Sequence, residues 1–296
     1  MKVLVIGGGG KVGRPLVRDL LARGVAVREL TRSQARAATL DPQVEPAVAD
    51  LTGDPSSCEG AFEGVVAVFM LNQPTLHETA EGLFAVELAR KAGVGRFVYQ
   101  SVFKVDDLAY LPHVAPKLVI QRAVMRSGLD WTVLSPNHFY QNDQMSRLSL
   151  LERGEYTLPV GPVGCSSVDA GDIAAAAAAV LTGAGHGERN YAIVGPRMLT
   201  GEDCAAVWSD VLGRTVRYTG DPDRWRDAMR PFMPAWLNLD LTLMYRDFGH
   251  RGFTASEREV TQMHELLGRA PCPYEDYVVG PAAEWREDSA KLPSGK

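Results

Sequence analysis

Short apolar runs alternate with segments of helical periodicity through the first half of the chain. Residues 1–6 form the first run, and apolar positions then recur three and four residues apart from Leu16 to Leu21. Further runs of the same kind follow at 25–30, 44–49, 65–70, 97–99 and 131–134. Buried strands that alternate with helices predict an α/β fold, a doubly wound parallel sheet with helices on both faces.

The pattern changes after Pro136. Residues 138–151 and 169–181 have helical periodicity, and the segments 155–160 and 191–194 read as strands. From Thr200 onward the chain is mostly helical, with aromatic residues and Met interspersed. The last residues, 294–296, are expected to form a frayed tail.

This change of pattern predicts two domains. The first, which carries the parallel sheet, takes residues 1–135 plus about 165–195. The second, a smaller and mostly helical lobe, takes about 136–164 plus 196–296.

A glycine-rich turn follows the first strand directly, at residues 7–13. Gly7 permits a tight turn, Gly10 lets a pyrophosphate approach the backbone, and Gly13 allows close packing of helix on sheet. The N–H groups of a helix starting near Lys11 would face the phosphates. We therefore predict dinucleotide contacts from this turn, the alternative being a glycine-rich turn of any α/β protein. The predicted contacts are Gly7, Gly10, Lys11, Val12 and Gly13.

The end of the second strand indicates which coenzyme binds. NAD-binding domains place an acid there for the ribose 2′-hydroxyl, whereas this chain has Thr31, Arg32 and Ser33, with Arg36 a turn later. Cations and hydroxyls suit a 2′-phosphate, so the pattern favours NADP(H), with Lys11 as a further cation. The alternative is that Arg32 is a solvated surface charge.

Two more strand ends contribute polar groups. Asp50-Leu51 follows the third strand, where Asp50 either accepts from the adenine amino group or caps the next turn. Leu71 and Asn72 follow the fourth strand, and their backbone is predicted to line the nicotinamide ribose.

Three residues are candidates for the chemistry. Ser101 ends the fifth strand, where its hydroxyl either bonds a substrate carbonyl or serves a turn. Lys117 would hold the ribose hydroxyls and keep a neighbouring acid's proton labile. His113 is either that acid, since imidazole titrates near neutrality, or only the start of a helix.

Composition narrows the classes of partner. A net charge of −5 over 296 residues argues against nucleic acid. The N-terminus lacks a signal-peptide pattern, and the longest apolar run, 173–181, is too short for a bilayer. Four dispersed cysteines and six histidines show no ligand spacing. We therefore expect a cytoplasmic protein with no metal, no membrane contact and reduced thiols.

These segments together resemble the NmrA-like branch of the atypical short-chain dehydrogenases/reductases, over nearly the whole chain. The resemblance rests on their order, since no single segment is decisive. The matching segments are 5–14, 31–32, 50–54, 97–101, the Lys117 helix, 128–136, 139–142, 168–174 and 191–196.

The resemblance implies a Rossmann domain with an interleaved C-terminal lobe and NADP held by the glycine loop and Arg32. It places Lys117 as the lysine of the family's Tyr-x-x-x-Lys pair, with His113 where the tyrosine would stand. It also places Asn137 and Phe139 against the nicotinamide, with Tyr140 and Asn142 nearer the substrate. Ser135 departs from the family pattern, because an arginine commonly precedes this proline.

Three functions remain open. The first is an NADPH-dependent reductase that transfers hydride to a quinone, enone or ketone of an aromatic or polycyclic molecule. The second is a non-catalytic protein that senses NADP(H) and controls a partner protein, suggested by the missing tyrosine. The third is a non-redox cyclase or isomerase. A small apolar, aromatic substrate and a monomer or homodimer are expected.

Overall fold

The computed structural model describes residues 1–291, so the tail predicted at 294–296 lies outside the described residues. The chain divides into two compact units. The first comprises Met1–Pro136, Ala170–Ile193 and Glu265–Leu267. The second comprises Asn137–Asp169, Val194–His264 and the chain from Gly268 on.

The first unit is built on a sheet of seven strands, all paired in parallel, in the order β3-β2-β1-β4-β5-β6-β8. This arrangement confirms the predicted doubly wound Rossmann-type sheet. The strands are β1 (Lys2–Ile6), β2 (Ala26–Thr31), β3 (Val44–Val48), β4 (Ala67–Met70), β5 (Arg96–Gln100), β6 (Asp130–Pro136) and β8 (Arg189–Ile193). In the second unit β7 (Glu155–Tyr156) pairs with β9 (Arg217–Tyr218).

Twelve α-helices lie within the described residues. Those of the first half are α1 (Gly13–Ala22), α2 (Gln34–Ala37), α3 (Glu59–Phe62), α4 (Glu78–Lys91), α5 (Ala115–Met125) and α6 (Arg147–Arg153). Those of the second half are α7 (Ala170–Thr182), α8 (Gly201–Leu212), α9 (Pro222–Met229), α10 (Ala235–Arg251), α11 (Glu257–Leu267) and α12 (Tyr274–Lys291). None of these helices is both long and apolar enough to cross a membrane.

The central strands are continuous apolar runs because helices cover both faces of the sheet. Alternate side chains of β1, β4 and β5, among them Leu4, Phe97 and Tyr99, pack with α3, α4 and α5 in one core. Helices α1 and α7 pack against each other, and α7 also contacts β4, β5 and β6. Because all the strands of this sheet pair in parallel, their carboxyl ends lie at one edge.

Two predicted elements of the second unit differ from the structure. The helix expected at 138–151 is a 3₁₀ segment at Tyr140–Ser146 followed by α6, because Asp143 turns inward to accept bonds from other elements. The strand expected at 155–160 is only the two residues of β7, since Pro159 cannot donate to a ladder.

Candidate active site

Neighbouring backbone atoms leave no room for a side chain at two glycines of the turn after β1. Gly7 has φ +92°, and a Cβ there would lie 2.5 Å from the carbonyl oxygen of Leu71. A Cβ at Gly13 would collide with the carbonyl oxygen of Gly7. Helix α1 begins at Gly13, two residues later than the predicted start near Lys11, with buried Val12 at its N-cap. The fold itself therefore requires Gly7 and Gly13.

Gly10 differs from its neighbours in the turn. Its amide donates to the carbonyl oxygen of Gly7 at 3.2 Å, and a Cβ at Gly10 would make only an ordinary contact of 3.5 Å with that oxygen. The protein thus leaves room for a side chain at this position. A ligand that approaches the backbone is the remaining physical reason for glycine here.

A cavity of about 230 Å³ lies at the carboxyl ends of β1 to β4, entirely within the first unit. It brings together seven of the predicted coenzyme contacts from four separate segments of the chain. They are Gly7, Thr31, Arg32, Asp50, Leu51, Leu71 and Asn72. The other predicted contacts in the glycine turn, Gly10, Lys11, Val12 and Gly13, are not among the residues that line it.

Sequence reasoning overlooked several residues that line this cavity, chief among them Glu29. Glu29 lies on β2 two positions before Thr31, so both side chains project from the same face of the sheet. Arg36, at the end of α2, donates to a Glu29 carboxylate oxygen at 3.3 Å. The period-two spacing of Glu29 and Thr31 was the available signal. The other overlooked lining residues include Gly8, Gly9, Thr75 and Glu81.

Asp50 makes the turn contact that was one of its two predicted roles. Its Oδ1 accepts from the Thr52 amide at 2.9 Å and from the Thr52 hydroxyl at 2.7 Å. These bonds, the side-chain bond first, hold the pKa of Asp50 below its usual value, with a smaller contribution from the charge of Arg32. A contact between Asp50 and adenine stays a prediction.

Several buried polar atoms at this edge of the sheet have no hydrogen-bond partner within the described part of the chain. They include Asn72 Oδ1, Gln100 Oε1 and Ser101 Oγ. Asn72 uses its amide nitrogen, which donates to Glu81 at 3.3 Å. An unsatisfied buried polar atom costs about 1–3 kcal/mol, so such atoms are typical of a site that a ligand completes. With the glycine turn and two arginines, these residues fit a phosphorylated dinucleotide.

Lys117 lies in the first turn of α5 and forms a buried ion pair. Its Nζ donates to Glu78 Oε1 at 2.6 Å, and the two side chains are 10% and 0% exposed. Burial raises the pKa of Glu78, and the Lys117 charge opposes that rise. Glu78 was not predicted, because an acid in the first turn of a helix is common.

Two further groups interact electrostatically with Glu78. His113 lies in the turn before α5, and its charge lowers the pKa of Glu78 slightly. Tyr99 on β5 is fully buried, and burial together with the Glu78 charge raises its pKa well above the usual value. Its hydroxyl has no hydrogen-bond partner among residues 1–291. Lys117, Glu78, His113 and Tyr99 therefore form one electrostatic group in the first unit.

The predicted contacts of the second unit all lie close together in sequence, and their side chains bond within that unit. Asn137 Nδ2 donates to the Phe253 carbonyl oxygen at 2.8 Å. The backbone of Phe139 forms an isolated parallel β-bridge with Val168. Tyr140 is 1% exposed and packs on the rings of Tyr274 and Tyr277.

Asn142 bonds His138 Nε2 through its amide nitrogen at 3.0 Å. The structure thus assigns Asn137, Tyr140 and Asn142 contacts that hold the second unit together. Contacts of Asn137 and Phe139 with nicotinamide, and of Tyr140 and Asn142 with substrate, stay predictions.

Two proteins of similar sequence are reductases. The chain is 32% identical over 222 residues to an NAD(P)H azoreductase of Xenophilus azovorans, covering 73% of this chain and 76% of that protein. It is 30% identical over 277 residues to a (4-alkanoyl-5-oxo-2,5-dihydrofuran-3-yl)methyl phosphate reductase of Streptomyces griseus, covering 93% and 96%.

Solved structures show the same fold. An NADPH-dependent quinone oxidoreductase from Escherichia coli, crystallised with NADPH, superposes with a TM-score of 0.83 at 21% identity, covering 95% of this chain and 99% of that one. The sequence profile of the NmrA-like family matches residues 1–278. The protein is therefore a member of the NmrA-like family.

Proposed function

We propose that the protein is an NADPH-dependent reductase that transfers hydride to a quinone, enone or ketone of a small aromatic or polycyclic molecule. The observation that supports it most is the groove at the carboxyl edge of β1 to β4, where a glycine turn, arginines and an unsatisfied Asn72 oxygen meet. The similarity to two reductases at 30% identity or more agrees with this chemistry. A monomer or homodimer suffices for it.

The first unit holds the coenzyme in this proposal. Gly7 to Gly13 contact the phosphates, Arg32 contacts the 2′-phosphate, and Leu71 and Asn72 contact the nicotinamide ribose. Bound NADPH supplies the hydride, which is the step that the protein itself cannot perform. The contribution of the protein is to orient the two reactants and to stabilise the charge that develops on the substrate.

The Lys117 ammonium provides that stabilisation. Because the ammonium donates a buried hydrogen bond to the Glu78 carboxylate, the cation is positioned before any substrate binds. A substrate carbonyl that gains negative charge then accepts from Lys117, with Ser101 as a second donor. His113 then donates a proton to the reduced substrate, in the place where relatives of this family carry a tyrosine.

A panel of acceptors tests the reductase proposal. The purified protein with NADPH and a series of quinones, enones and aromatic ketones is expected to consume the absorbance of reduced nicotinamide with at least one of them. Mixtures that lack the protein serve as controls. Tight NADPH binding without consumption by any acceptor would contradict turnover and favour a protein that senses the coenzyme.

The glycine turn allows a second test, with two matched alanine variants. Gly13→Ala is expected to lower the free energy of unfolding by about 1–3 kcal/mol, because its Cβ collides with backbone. Gly10→Ala is expected to leave unfolding unchanged and to weaken NADPH binding about tenfold or more. Denaturant unfolding and calorimetry measure the two effects. Equal NADPH affinity in Gly10→Ala and the wild type would contradict the placement of the phosphates.

A further inference from the structure

Glu29 is a buried acid at the end of the groove where an adenosine ribose is expected. Its side chain is only 4% exposed, and its carboxylate fills the space that a Cβ at Gly8 would need. Glycine at position 8 is therefore matched to the acid beneath it. A carboxylate at this depth repels a phosphate that enters the groove, and it can accept a hydrogen bond from a ribose hydroxyl.

Arg36 is the counter-ion of this carboxylate. Its guanidinium lies 3.3 Å from Glu29 Oε1 and 3.0–3.4 Å from where a Cβ at Gly9 would stand. Arg36 thus lies flat against the glycine turn, held by Glu29 from one side. A second arginine also contacts the glycine turn, since Arg14 Nε donates to the Gly9 carbonyl oxygen at 2.9 Å.

The same pair separates two cavities. Glu29, Arg36 and Gly8 line both the groove at the strand ends and a larger cavity of about 800 Å³ beside α1. Arg32 lines only the first of these cavities and forms no ion pair with another described residue, although its charge contributes to the low pKa of Asp50. A bound anion is therefore attracted less by Arg36 than by Arg32, because the Glu29 carboxylate offsets the charge of Arg36.

We propose that the Glu29–Arg36 pair is a specificity-determining element that limits the preference of this protein for NADPH over NADH. The inference rests on the coenzyme binding proposed above. Arg32 supplies the net positive charge for a 2′-phosphate. Arg36 adds hydrogen-bond donors with little net charge, and the Glu29 carboxylate accepts from a ribose 2′-hydroxyl when no phosphate is present.

Glu29→Gln isolates the charge, because glutamine keeps the shape and the acceptor atom that Arg36 needs. The dissociation constants of NADPH and NADH, measured by calorimetry, are the readout. NADPH is expected to bind about tenfold more tightly to Glu29→Gln than to the wild type, and NADH to bind equally or more weakly. Equal changes for the two coenzymes, or no change for either, would overturn the inference.

Arg36→Met provides an independent test. The Arg36 side chain is 31% exposed, so its replacement does not disturb the core. It leaves Glu29 uncompensated, so NADPH is expected to bind more than tenfold more weakly while NADH affinity changes little. Unchanged NADPH affinity in Arg36→Met would overturn the inference even if Glu29→Gln did not fold.

Arg32→Ala is the matched control for an arginine outside the pair. It is expected to weaken NADPH far more than NADH, and its effect should add to that of Glu29→Gln, whereas the effects of Arg36→Met and Glu29→Gln should not add. Additive effects of the last two would also contradict the inference. A wild-type protein that binds neither nucleotide would refute the proposed function itself, which distinguishes the two failures.

Discussion

Replacing Glu78 by Ala is expected to lower the free energy of unfolding by about 3–5 kcal/mol. The change removes the carboxylate that faces the Lys117 ammonium at 2.6 Å and leaves that cation buried, with its side chain 10% exposed. A buried charge without its partner is far more costly than the loss of the pair as a whole. Urea unfolding followed by circular dichroism measures the effect.

Glu87→Ala is the matched control, because Glu87 lies on the same helix and pairs with Arg90 at 2.8 Å on the surface. Its side chain is 60% exposed, so water replaces the lost contact and the unfolding midpoint should stay unchanged. The double variant Glu78→Leu/Lys117→Met should recover most of the stability lost in Glu78→Ala. An equal midpoint for Glu78→Ala and Glu87→Ala would show that the buried pair is not needed for folding.

Removal of the Lys117 ammonium is expected to reduce kcat/KM for the proposed reduction by about 10²–10³-fold. Lys117→Met alone would leave the Glu78 carboxylate unpaired, so the informative variant is Glu78→Gln/Lys117→Met, in which neither side chain carries a charge. The reference is Glu78→Gln, which keeps the ammonium and an acceptor for it. Steady-state rates with NADPH and the best acceptor of the panel give the ratio.

The two variants also separate positioning from chemistry. Both should bind NADPH with affinities within a few fold of each other if Lys117 acts mainly on the charge that develops in the substrate, so the difference should appear in kcat. Equal turnover of the double variant and Glu78→Gln would remove Lys117 from the mechanism. A loss confined to NADPH affinity would assign Lys117 to the ribose alone.

Most of the first unit follows from local sequence. The second strand was predicted at 25–30 and lies at Ala26–Thr31, and the fifth was predicted at 97–99 and lies at Arg96–Gln100. Apolar runs and helical spacing report burial on one or both faces of an element, which is a local property. The prediction was less accurate at 138–151, where the inward turn of Asp143 toward Tyr156 and Trp208 competes with helix formation.

The candidate site was only partly predictable. Seven of the proposed coenzyme contacts meet in one cavity, because each follows a strand and parallel strands end at the same edge. The sequence offered no means of pairing Lys117 with Glu78, which lies 39 positions earlier. The contacts of Tyr140 with Tyr274 and Tyr277 were equally inaccessible, because more than 130 residues separate them.

What the sequence alone determined is the order of strands and helices, the glycine turn after β1 and the arginine that follows β2. These depend on backbone angles and on the spacing of apolar side chains, which are determined by residues close together in the sequence. What only the tertiary structure decided is that Glu78 meets Lys117, and that the Glu29–Arg36 pair lies beneath Gly8. The reason is that these distances are set by the packing of α4 against α5 and by the pairing of β2 with β1, which bring together residues far apart along the chain.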